Sequence, residues 1–414
     1  MKLLLLFLSF ASLSLLSFSQ DQEETNEDFL RFGGALRLNI VSQHYESDPK
    51  PTSTYATLDT WRLNVAASYS GVTLDFEYRF YPTFNTHFIH HGYLGYSFSD
   101  NLNMQLGVTR VPFGNLDYNS NSWWFLIPYY VGLEDDYNMG IKFNYDFTEN
   151  LNIAVAYFRQ SDPAGPAYGS ASFGGPGAGT YSYNIVPDEA GSLSETGATA
   201  SIREMNQFNV RTVYNIFENI EVGVSAQLKG IYNSVLNDIE YGNAWAVHSQ
   251  SNFGNANIKL QYTNYHYKAR DDEGNLLNRV QMGAYGDPYY GDGVAARASI
   301  ITAGLAYNIP VNWGPISSVL PYFDYSLMIK DGDILIDNNP VTFENSIMIV
   351  PGFMLTAGRV FTYVDFALGK NHPWLTDYFG TGLGAGHLDN QGNPIPVDDI
   401  DWNLRFNINI GYYF

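Results

Sequence analysis

Apolar and polar residues alternate from Trp402 to the last residue. Trp402, Leu404, Phe406, Ile408, Ile410, Tyr412 and Phe414 fall on one parity, and Asn403, Arg405, Asn407 and Asn409 on the other. Successive side chains of a strand point to opposite faces, so this segment has one apolar and one wet side. A soluble sandwich rarely needs so long an apolar face with aromatics at both ends, whereas a lipid-facing strand does. The same rhythm, bounded by turn residues, marks strands near 30–42, 54–70, 71–82, 87–98, 101–111, 137–147, 150–160, 203–216, 219–233, 243–253, 256–269, 297–308, 317–330, 341–355, 358–370 and 401–414. Tight turns at Ser70-Gly71, Ser99-Asp100, Thr148-Glu149, Glu218-Asn219, Gly254-Asn255, Pro310 to Pro315 and Ala357-Gly358 alternate with longer gaps. Sixteen strands with both ends on one side require seven turns and eight loops, and both counts are met. The pattern predicts an all-β fold, a transmembrane antiparallel β-barrel of 16 strands with short periplasmic turns and long extracellular loops. The longest loop, 161–202, is rich in Gly, Ala, Ser and Pro and is expected to be mobile.

The N-terminus reads differently. Met1-Lys2, an apolar run through Leu16 and the small-x-small site Ser17-Phe18-Ser19 predict a signal peptide over 1–19. Residues 20–29 then form a short acidic periplasmic segment, and 30–414 the barrel, a single unit because closure leaves no internal boundary. The chain has no cysteine, hence no lipoprotein anchor, disulfide or thiolate metal site. Past residue 20 no window approaches the roughly 18 uninterrupted apolar residues of a membrane helix, so a bilayer must be crossed by strands.

Composition agrees, with 32 Tyr, 27 Phe and only 15% charged residues. A net charge of -21 excludes nucleic acid as a partner and argues at first against anionic solutes. Placement reverses that impression. The parity opposite to the apolar one carries Arg31, Arg37, Arg62, Arg79, Lys142, Arg203, Arg211, Lys229, Lys259, Lys330 and Arg405, against the acids Asp75, Glu77, Asp146, Glu221, Asp324, Glu344 and Asp365. The inner wall thus holds eleven basic and seven acidic groups, and the acidic excess falls on loops and the N-terminal segment. The pore-lining set expected to act on solutes is Arg37, Arg62, Arg79, Lys142, Arg211, Lys229, Lys259 and Arg405. Basic residues on lipid parity, namely Arg110, Arg159, Arg297 and Lys370, sit at outer strand ends, where exposure to lipid costs far less than the about 2–4 kcal/mol at mid-bilayer.

The fifth strand runs Asn103-Met104-Gln105-Leu106-Gly107-Val108-Thr109-Arg110-Val111-Pro112-Phe113-Gly114. With Gly107, Arg110, Pro112, Phe113 and Gly114 it resembles the strand-to-loop signature of the phosphate-selective porin O and P family, as do the strand number and the terminal Phe414. The resemblance implies a passive, often trimeric diffusion channel whose third outer loop folds inward and whose bore carries basic residues. One departure bears on the solute. Loop 112–136 contains no Lys or Arg but does contain Asp117, Glu134, Asp135 and Asp136, which counts against a dedicated phosphate site. Pro112 ends strand pairing for want of an N–H, and Gly114 permits a sharp bend back into the bore. Trp123, Trp124 and Phe125 are too apolar for water and are expected to anchor this constriction loop against the inner wall.

No cofactor or metal is expected. Strand parity sets His87 and His91 on one face and His90 on the other, so at most two could chelate. The acidic runs Asp331-Gly332-Asp333 and Asp398-Asp399-Asp401 lack EF-hand spacing, and no spaced nucleophile motif marks an enzyme. The expected function is an outer-membrane porin passing small hydrophilic solutes, anionic or neutral and with phosphate among them, with a mild anion preference. Its expected surroundings are the lipid and lipopolysaccharide of a Gram-negative outer membrane. The alternatives are a surface adhesin or structural barrel whose acidic, Tyr-rich loops bind a partner, and a hydrophobic-solute channel, for which the short N-terminal segment supplies too little chain for a plug.

Overall fold

The sixteen expected strands all form. They are β1 (Phe29–His44), β2 (Thr54–Tyr69), β3 (Val72–Tyr81), β4 (Thr86–Ser99), β5 (Leu102–Arg110), β6 (Tyr137–Thr148), β7 (Leu151–Ser161), β8 (Ile202–Phe217), β9 (Ile220–Asn233), β10 (Asp238–Phe253), β11 (Ala256–His266), β12 (Arg297–Tyr307), β13 (Ile316–Asp331), β14 (Ser346–Ala357), β15 (Val360–Lys370) and β16 (Trp402–Tyr413). Each pairs antiparallel with the next, and β16 returns to β1 from Ala35↔Tyr413 to His44↔Leu404. Phe414 and Gly34 exchange backbone hydrogen bonds at 3.0 and 3.1 Å, completing the seam. The computed structural model describes residues 28–44, 53–116, 118–161, 180–285, 293–336, 339–372, 375 and 402–414. The expected signal peptide and the runs 287–292 and 398–401 lie outside the described residues.

Turn chemistry follows the sequence. Ser70 and Gly71 both have positive φ, +51° and +80°, as a two-residue hairpin turn matched to strand twist requires. The tight turn expected over Pro310 to Pro315 is tighter than that span, because Ile309–Trp313 continues the line of β12 and pairs with the start of β13, leaving the reversal to Gly314, φ +60°.

Burial is inverted relative to a soluble protein. Leu30, Phe32, Leu38, Ile40, Val224 and Leu260 face outward and are exposed, whereas Asp324, Ser326, Asp365 and Asn407 face inward with no exposure at all. Aromatics such as Phe98, Phe147, Phe217, Phe253 and Trp313 are exposed near the tight turns, forming one girdle.

Two irregularities prepare the interior. Between β3 and β4 the register passes from Glu77↔His91 to Tyr78↔Ile89, a β-bulge with His90 as the extra residue. It overturns the parity reading of the histidines, since His90 and His91 both turn inward and His87 is exposed on the outer side. Farther round, the β4–β5 ladder ends at Gly92↔Val108, although β3 and β4 stay paired as far as Tyr81↔Thr86. Gly107, at φ +141°, sits at this parting, where a Cβ would come within 2.3 Å of the Gly92 carbonyl oxygen. The tops of β5 and β6 therefore lean into the bore. Arg110, expected on the lipid side, is carried inward, where its guanidinium lies 3.0 Å from Asp135 and donates to the Leu116 carbonyl at 2.8 Å.

The bore is filled from its middle towards its outer end. Loop 111–136, with the one-turn helix α1 (Ile127–Tyr130), meets segments 180–201 and 267–285 in an apolar core that includes Tyr129, Tyr181, Tyr183, Tyr265, Tyr267 and Met282. Asn184–Val186, Arg279–Gly283 and Val294–Ala295 pair as a small sheet within it. Segment 180–188, expected to be mobile, is buried almost throughout, because its tyrosines pack here.

Candidate functional site: the constriction

Loop 111–136 leaves the wall at Pro112 and turns at Gly114, φ +64°, where a Cβ would stand 2.3 Å from Gln261 Oε1. From there it crosses to the wall formed by β8 to β13. The Gly114 N–H donates to Ser225 Oγ (3.0 Å) and the Asn115 N–H to Gln261 Oε1 (2.8 Å), while Arg211 Nε donates to the Gly114 carbonyl (2.7 Å). Lys259 Nζ donates to the Ser120 carbonyl at 3.0 Å. One oxygen of Asp324 accepts the N–H groups of Asn121 and Ser122, each at 2.7 Å, and the other accepts the Asn121 side-chain amide at 3.0 Å. Ser326 Oγ takes the Ile127 N–H at 3.3 Å. Gly304 makes room for the loop, since a Cβ there would lie 2.3 Å from the Asn119 carbonyl.

These contacts divide the eight basic residues read as pore-lining. Arg211 and Lys259 are buried beneath the loop. Lys142, also buried, donates to the Arg110 carbonyl at 3.0 Å. Lys229, at 0% exposure, is locked to Glu204 at 3.0 Å. The sequence reading is corrected for these four: they face a packed loop rather than water, because parity names the face of a strand and not what covers it.

The other four stand on the opposite wall, β16 and β1 to β3. Arg37 pairs with Asp59 at 2.9 Å and donates to Thr60 Oγ1 at 2.7 Å. Arg62 lies 3.5 Å from Glu77, which also pairs with Arg79. Arg79 is buried beneath the Tyr181 ring, 4.7 Å away, whereas Arg37, Arg62 and Arg405 are half-buried and keep contact with solvent. Among the described residues no carboxylate pairs with Arg405, whose guanidinium lies over Trp124 at 4.6 Å. Arg37 lies over Trp123 at 5.9 Å. Of the three expected anchors only Trp124 is buried, while Trp123 and Phe125 stay half-exposed and Phe125 stacks on Tyr129 at 3.8 Å; Phe113 of the motif is buried as well.

Asp117 lies outside the described residues, and the loop's other three acids are weaker charges than the sequence suggests. Asp135 is engaged by Arg110 and accepts the Tyr181 hydroxyl at 2.6 Å. Burial pushes Glu134 up to about 8, against the opposing hydrogen bond from Asn119, and it pushes Asp136 up to about 7. Of the loop's determinants, Asp324, Ser225, Gln261 and Gly304 were not singled out from the sequence as loop contacts. Their only signal there is inward parity.

Similar folds are known. The outer membrane channel DcaP of Acinetobacter baumannii superposes with a TM-score of 0.54 at 12% identity, over 94% of this chain and 97% of that one. Salmonella typhi OmpF, solved with daunomycin, gives 0.54 at 10% identity over 94% and 98%, and Pseudomonas putida OprB gives 0.52 at 9% over 93% and 94%. No protein-family model and no curated protein sequence matches the chain. The fold is that of the sixteen-stranded outer-membrane porins.

Proposed function

We propose that the chain is a porin of the Gram-negative outer membrane, a passive diffusion channel for small hydrophilic solutes with a mild preference for anions. The observation that carries this reading is the asymmetry of the constriction. The loop is fastened to one wall, and the solvent-accessible groups left opposite it are Arg37, Arg62 and Arg405, with Arg37 over Trp123 and Arg405 over Trp124. Charge near the path is net positive among the described residues there, because Asp59 and Glu77 offset two guanidiniums, Asp135 is paired and Glu134 and Asp136 are raised. Selection by wall charges needs no dedicated binding site. Small anions, phosphate among them, and neutral solutes fit this wall, while the lack of Lys and Arg in the loop argues against a phosphate site as such. Assembly as a trimer agrees with the fold and with the resemblance of the Gly107 to Gly114 motif.

Single-channel recording in planar bilayers tests this directly. Reconstituted protein should conduct, with a reversal potential in a salt gradient that favours chloride over potassium. Absence of conductance would favour the adhesin or structural-barrel reading, in which the acidic outer loops bind a partner.

A further inference from the structure

The bulge in β4 has a chemical product. Regular pleating would send His90 and His91 to opposite faces, but the extra residue aims both imidazoles into the bore beside Glu77 of the neighbouring strand. His90 Nδ1 lies 2.8 Å from His91 Nδ1 and 3.6 Å from Glu77 Oε1, and one ligand atom from each of the three residues falls within 4.8 Å of the others. Donors at about 2.0–2.1 Å from a tetrahedral zinc ion stand about 3.3 Å apart, so small side-chain rotations suffice to meet one.

A second feature points to the same chemistry. His91 Nε2 is held 3.2 Å from Asp75 Oδ1, and the other oxygen of Asp75 accepts the Tyr93 hydroxyl at 3.0 Å. A carboxylate on the far nitrogen fixes both tautomer and ring direction, the support that metal-ligating histidines commonly have. It leaves the Nδ1 lone pair of His91 aimed at the cluster. Access is open as well, since the side chains of His91 and Asp75 are 14% and 40% exposed.

We propose that Glu77, His90 and His91 form a binding site for a divalent transition-metal ion on the inner wall, next to Arg62. Arg62 and Arg79 compete with the ion for the Glu77 carboxylate, so the imidazoles carry the affinity. Nitrogen-preferring ions such as zinc, copper(II) and nickel are therefore selected, and magnesium and calcium are refused. When the metal enters, the proton between the two Nδ1 atoms shifts to His90 Nε2, so that both imidazoles bind as neutral Nδ1 donors, and binding weakens as pH falls because a protonated imidazole has no lone pair to give.

The site is independent of whether the barrel conducts, and its test needs no conductance. Chelator-washed, detergent-folded protein is titrated calorimetrically with zinc chloride at pH 7.5. One ion per chain is expected, with affinity lowered at least tenfold in His90→Ala and in His91→Ala, unchanged in His87→Ala and unaffected by excess magnesium. No saturable uptake by the wild type, full binding by both His90→Ala and His91→Ala, or loss of binding in His87→Ala would overturn the proposal. Should an alanine variant not fold, carbethoxylation of the wild type read by mass spectrometry replaces it. Zinc should protect His91, the solvent-accessible imidazole of the pair, and leave His87 reactive, and equal labelling of His91 with and without zinc overturns the site.

Discussion

At the scale of single residues, the same side-chain chemistry has two fates depending on what stands in front of it. Arg37, Arg62 and Arg405 touch solvent, whereas Lys229 is sealed with Glu204. Replacing the three arginines together by Gln is expected to shift the reversal potential toward cations. Lys229→Gln should leave selectivity unchanged but destabilise the barrel by about 3–5 kcal/mol, because it strands a buried carboxylate, a loss readable as an earlier denaturant midpoint. Glu134 supplies a second residue-level test. With its pKa raised to about 8, it is neutral below that pH and negative above it. Anion preference should accordingly decline between pH 7 and pH 9 in the wild type and decline less in Glu134→Gln, where of the two raised loop acids only Asp136, pushed up to about 7, still gains charge over that range, measured by reversal potentials at each pH.

Among the elements, loop 111–136 is defined by its fastening rather than by its own secondary structure, of which it has one helical turn. Asp324 is the most heavily used latch, receiving three hydrogen bonds from Asn121 and Ser122 across the bore. Asp324→Ala leaves two buried backbone N–H groups without an acceptor, each costing about 1–3 kcal/mol. The loop should then detach intermittently, seen as noisier single-channel current and a larger mean conductance. Deleting 115–135 should raise conductance further, severalfold, provided the variant still shifts its gel mobility on boiling as a folded barrel does. Unchanged conductance in the deletion would mean that the cap built from 180–201 and 267–285 sets the aperture.

For the molecule as a whole, a net charge of -21 coexists with a positive constriction because charge acts over a limited range. Screening confines influence to about 8–10 Å at physiological ionic strength, so wall charges beside the path dominate over acids in distant loops. At molar salt the range falls to about 3 Å. The anion preference is thus expected to shrink steadily as salt is raised towards 1 M, with the conductance ratio of the Asp324→Ala variant to the wild type nearly constant. A cation-selective wild type would show that the acidic loops govern the path after all.

The sequence by itself determined the barrel: strand number, the face each strand shows to lipid, the positions of the turns and the closing strand ending at Phe414. All of these are local, since a period of two and a turn residue are legible within a dozen positions and lipid tolerates only one parity. The inward folding of the loop was legible too, from Pro112, Gly114 and the Trp123 to Phe125 cluster. Tertiary structure alone decided what each inward polar group meets. Asn121 and Asp324 are 203 residues apart, and an inward lysine has the same parity whether it faces water, as expected for Lys259, or a docked carbonyl, as found. Local reading also failed where one residue was added or a ladder ended, because a single bulge inverts parity: His90 and His91 came together, and Arg110 left the lipid side once β5 parted from β4.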